Sequence, residues 1–169
     1  MKVIILKNIL SLKSIKSKFI KTSNYIVKLI SSEETHTVRH PVLRAGKPVD
    51  SCVFDGDNLE TTLHLGILHE HKLIGVSSFF KKSNSIISSE KTQYQLRGMA
   101  VLESFQGKGL GHILLKHGEN MLREKHITAI WCNAREVAIN FYKKNNYQVI
   151  GKSFIIKDIG LHYTMYKNL

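Results

Sequence analysis

The stretch "SFQGKGLG", Ser104–Gly111, brings three glycines, a lysine and a glutamine together without an acidic residue. Glycine allows positive φ and lets a ligand approach the main chain with no Cβ in the way. The amides that open a helix have no partner inside it and carry the positive end of its dipole. Such a loop ahead of a helical pattern therefore suits a phosphate. Two common phosphate loops fit it badly. A dinucleotide-binding loop follows the first strand and is answered about 20 residues later by an acidic residue that holds a ribose. A nucleotide-hydrolase loop needs GxxxxGK followed by Ser or Thr. Here the loop follows the fourth strand-like run, and the second pattern is missing.

The elements that position this loop alternate along the chain. "YIVKLI" from Tyr25 reads as a strand, and Ser32 with Glu33 and Glu34 reads as the capped start of a helix reaching toward Arg44, with a kink expected at Pro41. Residues 61–68 and 73–80 read as strands joined by "HEHK", and "KKSNSIISSEK" reads as a loop. "YQLRGMAV" is the strand before the glycines; Leu110, Ile113, Leu114, Met121 and Leu122 give the helix after them an apolar face. "ITAIWC" is a further strand, residues 134–145 a further helix, and "YQVIG" and "LHYTMYK" are closing strands. This order describes a mixed sheet with helices on its faces.

Composition limits the partners. A chain of 169 residues, 43% hydrophobic, is one domain's worth and buries a proper core. The net charge is +12, but residues 1–22 hold six lysines and no acid, leaving +6 for residues 23–169. No zinc-finger spacing and no aromatic-interleaved basic stripe accompanies that charge, so the lysines read as a solvated face and no nucleic-acid partner is expected. A modest positive field still favours an anionic ligand. Cys52 and Cys132 lie far apart and read as reduced, and no segment offers the roughly 20 consecutive apolar residues of a membrane span, so a cytoplasmic protein is expected. Residues 1–22 fit a transit peptide, a membrane-surface helix or an extension ahead of the domain; they are read as an extension, and residues 23–169 as the domain.

Several motifs in order resemble the GNAT superfamily of acyl-CoA-dependent N-acyltransferases. They are "LRGMAVLESFQGKGLG", with Gln106, Gly109 and Gly111 at the loop's matched positions, "WCNAREVAINFYKKNNY", with Ala138, Phe141 and Tyr142, and "IGLHYTMYK". The likeness runs from about Tyr25 to the C-terminus and is greatest to a bacterial subgroup without an assigned substrate. Two positions depart from the pattern: Arg135 stands where the family usually has asparagine, and "NNY" where it usually has "GF".

The resemblance implies an α/β fold: a mixed, mostly antiparallel sheet of about seven strands, helices on both faces and a splayed central parallel pair. It implies acetyl-CoA as donor, with no metal. Its pyrophosphate would rest on Gln106, Gly107, Lys108, Gly109, Leu110 and Gly111, and its pantetheine arm would pair with Met99, Ala100 and Val101 much as an added strand. Ala138, small enough to let the cofactor pass, and Asn140, on what is otherwise a solvated helix face, join that list. Tyr142, one turn after Ala138, is the implied acid for the leaving thiolate. The amine needs a base, and two residues compete: His162, which the subgroup places on the last strand facing the site, and Glu103, just after the fourth strand. Arg97 shares a strand face with Met99, so it holds an acidic group of the substrate or makes a surface ion pair. His64 is placed in the acceptor cleft. His64, His69 and His71 together lack the convergent ligand set of a zinc site.

The expected protein is an N-acetyltransferase that moves acetyl directly to a primary amine of a small molecule or peptide. It acts as a monomer or homodimer, and no cysteine sits in a nucleophile motif. The alternative is a non-catalytic acyl-CoA-binding regulatory module.

Overall fold

A computed structural model describes residues 20–22, 24–89 and 91–169. Most of the basic N-terminal stretch lies outside the described residues. Its end, Ile20–Thr22, forms a short strand, β1, that pairs with β2 (Tyr25–Leu29). Helix α1 (Ser32–Leu43) follows, then strands β3 (Leu63–His69), β4 (Lys72–Lys81) and β5 (Gln93–Val101). Helix α2 (Leu110–Glu124), strand β6 (Ala129–Arg135), helix α3 (Ile139–Lys144) and strands β7 (Gln148–Ile156) and β8 (Gly160–Asn168) complete the chain.

The strands form one eight-stranded sheet in the order β1-β2-β3-β4-β5-β6-β8-β7. Every pairing is antiparallel except β5 with β6. Strand alternation divides the side chains between two helical layers. Val76 and Ala100 pack with Val38 of α1 on one face. On the other, Leu65, Ile67, Phe79, Tyr94, Leu96, Ile130, Cys132 and Met165 join Leu110, Leu114, Leu115 and Leu122 of α2 and Tyr142 of α3. Gly118 of α2 is needed there, because a Cβ would collide with the Phe79 ring.

Local chemistry moves three of the expected boundaries. The cap of α1 is Ser31, one residue earlier than expected: its hydroxyl accepts from the Glu34 amide at 3.2 Å while the Glu34 carboxylate accepts from the Ser31 amide at 2.7 Å. The helix expected from Ala134 starts later, because β6 continues to Arg135 opposite His162 and a 3₁₀ turn, Glu136–Ala138, precedes α3. The β3–β4 connection is a tight hairpin with Glu70 and His71 both at positive φ, 48° and 66°.

Beneath α1 sits a buried polar clasp. The Arg39 guanidinium, fully buried, donates to both carboxylate oxygens of Asp57 at 2.7 and 3.0 Å, to the Ser78 hydroxyl at 2.7 Å and to the Cys52 carbonyl at 2.9 Å. The Phe54 amide also donates to Asp57, at 2.7 Å. Burial alone would raise the Asp57 carboxyl, but Arg39 and that amide outweigh it and hold the group below its ordinary value. Its stabilisation is therefore present above about pH 4 and is lost as pH falls through the lowered value. Asp57→Ala, which strands a buried guanidinium, is expected to cost about 3–5 kcal/mol of stability in urea unfolding at pH 7. A loss below about 1 kcal/mol, the range of an exposed pair, would overturn this reading of the clasp.

Candidate active site

The glycine loop opens α2 without a side-chain cap. Gly109 is the N-cap, at φ 76°, and no side chain bonds to the first-turn amides, so they remain available to a ligand. Gly107 has φ 75°. A Cβ added at either glycine would meet nothing within 4 Å, so the space above the loop is open and it is the backbone conformation that requires glycine. The loop borders a cavity of about 540 Å³ lined by Val101, Phe105, Gln106, Gly107, Gly109, Leu110, Gly111, His112, Phe141, Lys144 and Asn145.

Two expected donors behave differently. The Gln106 amide turns back to donate to the Val101 carbonyl at 2.9 Å, closing the end of β5. The Lys108 ammonium sits over the Phe105 ring, 4.8 Å from its centroid, and Lys108 is absent from the cavity lining. Lys144 supplies a positive charge to the cavity instead. His112 and Asn145 were not anticipated. The His112 Nδ1–H donates to the Asn145 Oδ1 at 2.6 Å, and the Asn145 amide donates to the Phe141 carbonyl at 2.8 Å, tying the start of α2 to the end of α3. A signal for them existed: Phe141, Lys144 and Asn145 are spaced i, i+3, i+4 and so share a helix face.

The central parallel pair splays. β5 and β6 stay in register from Gln93↔Ala129 to Leu96↔Cys132 and then separate, β6 continuing with β8 to Arg135↔His162. A bulge accompanies the separation: the β4–β5 register shifts between Val76 and Ser78, opposite Gly98 and Met99, with Gly98 at φ 61°. Beyond Leu96, one edge of β5, including Met99, Ala100 and Val101, is free of β6.

Tyr142 stands at this gap. It is 8% exposed, and its hydroxyl lies 4.0 Å from the Met99 sulfur. Burial, with the neighbouring Cys132, pushes its pKa well above the ordinary phenol value, so the hydroxyl is protonated at neutral pH. Phe141 and Tyr147 hold the ring edge-on at 5.1 and 5.4 Å between centroids. Burial pushes the Cys132 thiol up to about 12 and raises Cys52 as well, and both thiols are free. With a pKa near 12, only about one molecule in ten thousand carries the Cys132 thiolate at pH 8. A thiol-specific disulfide reagent is therefore expected to leave the native protein unlabelled at pH 8 and to label both cysteines once it is unfolded. Prompt native labelling of Cys132 would contradict its burial.

The remaining expected residues lie in different surroundings. His162, 4% exposed, donates from Nδ1 to the Gly160 carbonyl at 2.8 Å and stacks on Phe154, leaving Nε2 as the accepting nitrogen. Glu103 is exposed in a 3₁₀ turn, and Asn140 is exposed outside the cavity lining. Ala138 is the N-cap of α3 rather than a residue one turn inside it. His64 is not a lining residue of an open cleft. Its Nδ1 lies 2.7 Å from the Ser78 hydroxyl and its Nε2 2.8 Å from the Asp57 carbonyl oxygen, so both nitrogens belong to the clasp, and burial lowers its pKa. His69 packs between Tyr25 and Phe105. Among the described residues no group of three or more His, Cys, Asp or Glu gathers to hold a metal ion, and no helix is long and apolar enough to cross a membrane.

Comparison with known proteins agrees with this architecture. The profile of the Acetyltransferase (GNAT) family matches residues 27–147. The chain is 38% identical over 143 residues to the uncharacterized N-acetyltransferase YitI of Bacillus subtilis (strain 168), covering 85% of this chain and 95% of that protein. Its fold is similar to that of an aminoglycoside 6'-N-acetyltransferase solved with coenzyme A: TM-score 0.68 at 13% identity, over 85% of this chain and 96% of the other. It is also similar to a GNAT family acetyltransferase of Elizabethkingia anophelis solved with acetyl-CoA: TM-score 0.62 at 12% identity, over 88% of this chain and 100% of the other.

Proposed function

The chain belongs to the GNAT family of acetyltransferases, and from that membership we propose that it moves acetyl from acetyl-CoA directly to a primary amine. One arrangement carries the reading: an uncapped, glycine-opened helix N-terminus beside two parallel strands that part after Leu96 and Cys132, with a buried tyrosine hydroxyl in the gap. The two solved relatives that hold coenzyme A or acetyl-CoA support the choice of donor.

The residues present fit such a donor. Open space over Gly107 and Gly109, the free first-turn amides and Lys144 suit a pyrophosphate. The edge of β5 at Met99, Ala100 and Val101, free of β6 though its Val101 carbonyl already accepts from Gln106, offers backbone groups to an extended arm. Acetyl-CoA supplies a thioester: the amine nitrogen forms a bond to its acyl carbon, the carbon–sulfur bond breaks, and the sulfur leaves with the electron pair. The Met99 amide at the bulge is the donor for charge developing on the acyl oxygen. Tyr142, protonated at neutral pH, gives its proton to the departing sulfur and regains one from solvent. His162 Nε2 is the base that takes the proton the nitrogen loses, because its Nδ1 is fixed on the Gly160 carbonyl. Glu103, exposed in the turn after β5, is the less favoured base.

Calorimetric titration with acetyl-CoA, followed by thiol release with a mixed panel of amines, tests this. Binding with release dependent on an amine is expected. Binding without release from any amine would favour the non-catalytic module, and absence of binding would end the reading.

A further inference from the structure

The face of the sheet that carries α1 holds a cationic cluster that the clasp does not neutralise. Three guanidinium groups surround the Phe54 ring, with Arg39 at 4.2 Å, Arg97 at 4.7 Å and Arg44 at 5.6 Å from its centroid. The two terminal nitrogens of Arg39 are taken up by Asp57, Ser78 and the Cys52 carbonyl while its Nε is buried without a partner, and Arg44 donates only to the Ser51 and Leu43 carbonyls. Arg97 differs from both. Its guanidinium stacks against Phe54 and against Phe80 at 5.4 Å, and among the described residues no hydrogen bond or ion pair engages it. Asp55 and Asp57 are the nearby acids that act on it. With Asp57 held by Arg39, the Arg97 guanidinium is left without an anionic partner at hydrogen-bond distance, and its planar fork matches a carboxylate.

A second observation lies on the same strand face, two residues away. Gln95 is 5% exposed, sits opposite Phe80 and Trp131, and its Oε1 is buried without a hydrogen-bond partner. A buried polar atom left unpaired costs free energy, and native structures keep few of them unless something else completes the bond. The unpartnered atom is an acceptor, so what completes it is an N–H of a bound molecule, such as the acceptor's amine end, and not its carboxylate. Arg97 is itself the last residue before the bulge at Gly98 and Met99, where β5 leaves β6, and that bulge puts Met99 on the side of Tyr142, so Arg97 and Met99 do not share the face expected of them. Two residues of extended strand span about 6.6 Å, so a group on Arg97 lies within a short molecule's length of the gap.

Resting on the acetyl-transfer reading, we propose that the acceptor is a small amine that also carries a carboxylate. Arg97 grips that carboxylate on the α1 face, with Gln95 beside it, and the amine points into the gap between β5 and β6. A planar guanidinium matches a carboxylate through two parallel N–H bonds, and stacking on Phe54 and Phe80 holds its plane. Transfer forms the C–N bond at the amine, breaks the thioester C–S bond and leaves the carboxylate unchanged, so the product is an N-acetyl amino acid and the free thiol.

The test is acetyl transfer to a panel of α- and ω-amino acids, each set against its carboxamide, with the intact protein and with Arg97→Gln and Arg97→Lys. Acetyl-CoA affinity is measured calorimetrically on all three. Amino acids are expected to outperform their carboxamides. Arg97→Gln is expected to raise KM for them by about 30-fold or more, with acetyl-CoA affinity unchanged and partial recovery in Arg97→Lys. If the intact protein binds acetyl-CoA and turns over carboxamides or uncharged amines as well as the acids, the inference is overturned while the acetyltransferase reading stands. If the intact protein does not bind acetyl-CoA, both fall. The comparison on the intact protein decides the matter even if a variant folds poorly.

Discussion

Gly109→Glu is expected to weaken acetyl-CoA binding by about 100-fold or more. Gly109 holds φ 76°, where an L residue is strained by roughly 1–2 kcal/mol. The larger effect is electrostatic. The substitution sets a carboxylate at the mouth of the α2 amides, where it occupies the anion site and repels the pyrophosphate. Gly109→Ala separates the two contributions. Its Cβ meets nothing within 4 Å, so it carries the backbone strain alone and is expected to lower affinity by about tenfold or less, with a melting temperature a few degrees lower. Calorimetric titration of both variants reads the difference. An unchanged affinity in Gly109→Glu would mean that the donor's phosphates lie elsewhere.

Tyr142→Phe is expected to lower kcat by about 100-fold while leaving acetyl-CoA affinity within about twofold, the loss of one positioned proton donor. The hydroxyl's neighbours are the Met99 sulfur at 4.0 Å and the Cys132 thiol, both weak partners, so removing it costs little stability. The pH dependence follows from the direction of the shift. An acid acts in its protonated form, and a pKa raised well above the ordinary phenol value moves its deprotonation to higher pH. The rate is therefore expected to rise as the amine and its base lose their protons and then stay level up to about pH 10, with no alkaline fall from Tyr142. A variant as fast as the parent, measured by thiol release, would remove Tyr142 from the chemistry and direct attention to solvent as the proton source.

What could be read from the chain alone was whatever a few neighbouring residues decide. The left-handed turns at Gly107 and Gly109, the apolar stripe of α2 from Leu110 to Leu122 and the strand runs at 25–30 and 94–101 are local patterns, and the structure keeps them. Their physics lies in backbone φ and in side-chain periodicity, both encoded within a turn or two. Boundaries slipped where a distant partner intervened: β6 outlasts the expected helix start because Arg135 pairs with His162 across the sheet.

Roles failed to be legible for the same reason. Nothing near His64 announces that Ser78, 14 positions on, and the Asp57 carbonyl will engage both its nitrogens, or that Arg39 will reach 39 positions to the same hydroxyl. His112 meets Asn145 across 33 positions, and Gln106 turns inward because a strand-end carbonyl needs a donor. The separation of β5 from β6, the bulge at Gly98 that goes with it and the unpartnered guanidinium of Arg97 are likewise products of sheet pairing. Sequence determined most of the elements, the glycine loop and the family. Tertiary structure decided which polar side chains are left free to act, because hydrogen bonds and burial are settled between residues that meet only in the folded chain.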